Sequence, residues 1–107
     1  MTLNNLGNLY SATQRLKEAE EAFTEGLATY RQLAKENAAA YLPYVAMTLN
    51  NLGDLYRVTQ RLKEAEEAFT EGLAIRRQLA KENPAAYLPD VAATLHNLGN
   101  VTATRCG

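Results

Sequence analysis

Cysteine, histidine and serine occur once each in this 107-residue chain, at Cys106, His96 and Ser11. A lone cysteine excludes an internal disulfide and fits a reducing cytosol, so a cytoplasmic protein is expected. One histidine and one cysteine are too few nitrogen and sulfur ligands for a zinc-type site. Convergent nucleophile–base pairs are equally scarce, so no catalytic residue, no metal and no cofactor is expected. Charge of one sign is missing as well. Eleven basic residues stand against twelve acidic ones, which leaves no electrostatic footprint for nucleic acid. Hydrophobic runs are short, so no membrane span is expected. Asn4, Asn5 and Asn8 interrupt the N-terminus where a signal peptide would need an apolar core. β-Branched residues are few and never alternate with polar ones, which excludes strands.

What the chain does contain is repetition. "MTLNNLGNLY" at 1–10 returns as "MTLNNLGDLY" at 47–56, and "ATLHNLGNVT" follows at 93–102. The period is 46 residues, and 1–46 differs from 47–92 at seven positions: 8/54, 11/57, 12/58, 29/75, 30/76, 38/84 and 44/90. The organisation is therefore one repeat at 1–46, a second at 47–92, and the first part of a third at 93–107 with a tail, "ATRCG", that leaves the pattern.

Each unit carries two helical stripes. Val45, Leu49, Leu52, Gly53 and Tyr56 recur at spacings of three and four, as do Leu62, Ala65, Ala68, Phe69, Gly72, Leu73 and Leu79 in the next segment. Glu64, Glu67, Glu71 and Lys63 take the opposite side, a charge pattern expected of a solvated helix face. A turn is expected around Thr59 to Arg61. Asn83-Pro84 reads as a helix stop and Pro89-Asp90 as the next start. The spacing thus predicts an all-α chain of about five helices, at roughly 2–13, 16–37, 44–59, 62–83 and 89–104.

Gly7, Gly53 and Gly99 recur inside a helix, each after a leucine. A mid-helix glycine costs about 1 kcal/mol relative to alanine, so its repetition implies a close helix approach. Ala19 and Ala65 are the natural counterparts on the following helix, and Phe23 and Phe69 follow four residues later on the same face. Leu52, Gly53, Tyr56, Ala65 and Phe69, like Leu6, Gly7, Tyr10, Ala19 and Phe23, resemble the signature of the tetratricopeptide repeat. The sequence departs from that signature where Arg31 or Arg77 stands in place of the usual closing proline. Its period also exceeds the common 34 residues, and this longer form looks like the repeats of kinesin light chains and of bacterial multidomain signalling proteins. The resemblance implies a right-handed α-solenoid of antiparallel helix pairs, two full repeats plus one extra helix.

It also implies a concave groove lined by the first helix of each pair. Carried over by position, that groove holds Asn4, Asn8, Asn50, Asp54, Arg57, His96 and Asn100, flanked by Asn5, Asn51 and Asn97. Asparagines in similar repeats of O-GlcNAc transferase and kinesin light chains grip the backbone of a bound peptide. The amide itself supports this, since it offers two donors and two acceptor lone pairs on one plane. Asp54 and Arg57 are equally placed to form an i,i+3 pair. The expected function is a scaffold that binds a peptide or protein segment, with no nucleic-acid or membrane partner. The alternative is a structural piece of a longer array, excised or engineered, that forms a homo-oligomer by end stacking or helix exchange through exposed terminal helices.

Overall fold

The computed structural model of the protein describes the backbone of residues 5–106 and the side chains of residues 14–105. These residues form four helices: α1 (Asn5–Glu36), α2 (Ala38–Val58), α3 (Leu62–Glu82) and α4 (Pro84–Cys106). Among them there is no strand, and no helix is long and apolar enough to cross a membrane.

Each helix packs on the next, α1 on α2, α2 on α3 and α3 on α4, while α2 also touches α4. The pairing of α2 with α3 is antiparallel: Gly53 faces Phe69, and Ala46 faces Gly72 further back along α2. Val45, Leu49 and Ala68 make one buried cluster, against which Leu27, Tyr30 and Ala34 of α1 pack. Ala65, Phe69 and Val101 make a second, and Leu73, Ala80 and Val91 a third. The core therefore runs along the stack, as stacked repeats require.

Four helices replace the expected five because the first two segments fuse. Residues 13–28 and 59–74 are identical in sequence, yet Thr59–Gln60 form a turn while α1 passes unbroken through Thr13 and Gln14. Gln60 holds a positive φ of 66°, a conformation that costs a non-glycine residue about 1–2 kcal/mol. At 59–61 packing compensates that cost: the Arg61 guanidinium lies 4.6 Å from the centre of the Tyr56 ring and bonds to Glu20 of α1 at 2.7 Å. The same residues at 13–15 lie inside α1 and are helical.

Helix starts also differ from the expectation. α2 begins at Ala38 and α4 at Pro84, about five residues earlier than the sequence signals suggest. The Asn37 side chain caps α2 by accepting from the Ala40 N–H at 3.2 Å, and Asn83 Oδ1 accepts from Ala86 N–H at 3.3 Å. Asparagine is among the best N-cap residues, and Pro84 then stands at the first helical position, where its missing N–H costs nothing. Pro43 and Pro89 consequently lie inside α2 and α4.

Candidate functional site

Because α2 and α4 carry corresponding segments of successive repeats, their touching faces bring residues 46–47 apart into one surface. Asn97 Nδ2 donates to Asn50 Oδ1 at 3.4 Å, and both side chains are half-buried. This bond is long compared with the usual N–H···O distance near 2.9 Å. Both amides therefore keep donors and acceptors to offer elsewhere.

Next to this pair an open groove of about 620 Å³ runs along the C-terminal halves of α2 and α4. Arg57, His96, Asn97 and Asn100 line it, four of the residues expected from the repeat positions. Gln60, Leu62, Ala103 and Thr104 complete the wall. Those four carried no functional signal in the sequence. Gln60 and Leu62 belong to the interhelical turn, and Ala103 and Thr104 lie in the tail that leaves the repeat.

Asp54 and Arg57 form the i,i+3 ion pair at 3.7 Å, with both side chains about half-exposed. An exposed pair of this kind contributes only ~0–1 kcal/mol, so the Arg57 guanidinium can turn toward the groove at little cost. Asn51 is half-buried, one residue on from Asn50 and about 100° round the helix. His96 and Asn100 are exposed. Asn4 lies outside the described residues, as do the side chains of Asn5 and Asn8. The backbone of the latter two belongs to the fused α1, so no separate first helix stands beside α2 to extend the groove.

One side chain fixes the end of this site. Arg61 makes a bidentate bond to Glu64, with Nε and Nη2 each 2.8 Å from a carboxylate oxygen. Its Nη1 reaches Glu20 at 2.7 Å. The hydrogen bonds to Glu64 and then to Glu20 raise the Arg61 pKa, and the Arg61 bond holds Glu64 below the ordinary glutamate range. Burial, then Glu20, pushes the Tyr56 phenol up, with Arg61 opposing. The arrangement ties α1 and α3 to the turn from which Gln60 and Leu62 enter the groove. A related tie recurs one repeat on: Arg105 bonds to Glu66, the counterpart of Glu20.

Among the described residues no three His, Cys, Asp or Glu side chains cluster as a metal site. The groove's chemistry is that of amides, one guanidinium and one imidazole. A family model described as a tetratricopeptide repeat matches residues 1–37 and 45–85, well over half of the chain. The match is family-wide and does not reach the narrower likeness to kinesin light chains. No curated protein and no solved structure matches the chain.

Proposed function

The chain belongs to the tetratricopeptide repeat family, and from that premise we propose that it holds an extended segment of another polypeptide in the groove between α2 and α4. Repeats of this family generally mediate protein–protein interaction and are typically not enzymes. The observation that supports this reading is the contact of the Asn50 and Asn97 amides across the two helices. Two planar amides side by side can satisfy the N–H and C=O groups of a peptide backbone without reading its side chains. Exchange of their mutual long bond for bonds to a ligand loses little. Arg57, further along the groove, supplies positive charge and would favour acidic side chains on the bound segment, and the His96 imidazole offers a further hydrogen-bonding group.

The test is a panel of peptides selected from a random phage-displayed library on the unmodified chain. Binding is then measured by fluorescence anisotropy against the unmodified chain and against Asn50→Ala/Asn97→Ala. Loss of one or two net hydrogen bonds, at ~1 kcal/mol each, predicts a weakening of roughly tenfold, with the helical circular dichroism retained. Peptides that bind both proteins equally would exclude this groove as the site.

A further inference from the structure

The pairing of α2 with α3 is close at Gly53, and both of its halves occur a second time with less cover among the described residues. On α2 the receiving face is Ala46, Leu49, Gly53 and Tyr56. A Cβ on Gly53 would stand 2.5–2.7 Å from the Phe69 ring, and Gly72 lies where a Cβ would meet the Ala46 carbonyl and Leu49 at 3.6 Å. The same repeat positions on α4 are Ala92, Leu95, Gly99 and Thr102, and all four are exposed. Leu95 is 42% exposed against 3% for Leu49, and a Cβ on Gly99 meets nothing within 4 Å.

The inserting half is duplicated on α1, whose residues 13–28 repeat 59–74 without a change. Ala65 and Phe69 on α3 are fully buried at 0% exposure. Their counterparts Ala19 and Phe23 are only half-buried, and Ala22, the counterpart of buried Ala68, is exposed. A Cβ on Gly26 also meets nothing within 4 Å. α1 and α4 lie at opposite sides of the stack, with no contact between them among the described residues, so one molecule does not bring these two halves together.

We propose that a second copy of the chain docks its α1 onto α4, reproducing the α2–α3 contact between molecules, with Phe23 of the second copy seated over Gly99. Charge agrees with this pairing. Arg31 of α1 bonds Glu71 of α3 at 2.9 Å, and in the docked pair the exposed Arg77 and Glu25 of the second copy occupy the corresponding positions. Docking also sets the second copy's α2 beside α4, as α4 lies beside α2, and so continues the row of amides. The contact is head-to-tail and does not close on itself, which makes the assembly open-ended and concentration-dependent.

Gly26 and Gly99 allow a test that spares the fold, because leucine is the better helix former at both and open space surrounds both. The measurement is sedimentation equilibrium of the full 107-residue chain across a hundredfold range of concentration. The unmodified chain should rise from the 11.8 kDa monomer toward dimers and larger species. Gly99→Leu and Gly26→Leu should each remain monomeric, with helical circular dichroism intact. Mixed in equal amounts, they should form a 1:1 dimer and nothing larger, since each retains the half that the other lacks. Asn50→Ala/Asn97→Ala should associate like the unmodified chain, which separates this contact from the peptide groove. A monomeric unmodified chain at every concentration, association of either leucine variant by itself, or a mixture that stays monomeric would each overturn the proposal.

Discussion

At Gly53 a ring carbon of Phe69 lies 2.5 Å from where a β-carbon would stand, and Phe69 is fully buried, so its ring has nowhere to withdraw. Gly99 occupies the same repeat position and meets nothing. The sign of a glycine-to-alanine change should therefore reverse between them. Gly53→Ala gains helix propensity of about 1 kcal/mol but forces overpacking worth about 1–3 kcal/mol, for a net loss of up to about 2 kcal/mol. Gly99→Ala keeps the gain alone. Urea unfolding at a concentration where the chain is monomeric would show it, and two shifts of the same sign would sink the steric account. Four of the seven positions that differ between repeats also meet in pairs. Asn8 and Ser11 become Asp54 and Arg57, which form an ion pair. Tyr30 and Tyr44 stack at 5.2 Å between ring centres. Their counterparts are Arg76, which bonds the Thr94 hydroxyl at 2.8 Å, and Asp90, whose carbonyl accepts from that hydroxyl as the Tyr44 carbonyl does from Thr48. The aromatic stack at one junction is thus replaced at the next by an arginine–threonine hydrogen bond.

Among the elements, the turn between α2 and α3 best shows what local sequence does and does not determine. Thr59 ends the helix, the Gln60 N–H bonds the Arg57 carbonyl at 3.1 Å, and the Arg61 N–H bonds the Tyr56 carbonyl at 2.7 Å. This is the Schellman pattern, in which the left-handed position prefers glycine. Gln60→Gly should then stabilise the protein by ~1 kcal/mol. Gln14→Gly, the same change in the same sequence but inside α1, should destabilise it by ~1 kcal/mol. Thermal melts of the two variants decide the matter: if both gain stability, residues 13–16 close a turn of their own and α1 is not one helix. The repeat, the antiparallel α2–α3 pair and the close approach at Gly53 were legible because periodicity and small-residue placement encode packing directly, although the side chain that meets Gly53 is Phe69 and not the expected Ala65. The fused α1 was not, since identical residues adopt two conformations and only their neighbours choose. The helix starts were missed for another reason: Asn37 and Asn83 act as caps, whereas the prolines drew attention to themselves as boundaries.

For the molecule as a whole, a stack in which each helix touches chiefly its sequence neighbours behaves as a one-dimensional array, with stability distributed by neighbour count. α2 and α3 each have a helix on either side and hold most of the buried side chains, among them Ala46, Leu49, Leu52, Ala65 and Phe69. α4 contributes Val91, Thr94 and Val101 from one face. None of the described side chains of α1 is fully buried, and its ties to the rest include two exposed or partly exposed ion pairs, Arg31–Glu71 and Arg61–Glu20. Such pairs contribute little in water and less in salt. Opening of α1 should therefore precede global unfolding, since local opening free energy follows buried contact. Native-state hydrogen exchange should find amides of residues 14–36 exchanging through a sub-global opening, well ahead of those in α2 and α3, with α4 between. Raising salt should widen the gap by weakening the two ion pairs. If instead α1 exchanges only with the global transition, the stack is a single cooperative unit, and the face carrying Phe23 has more support than its exposure suggests.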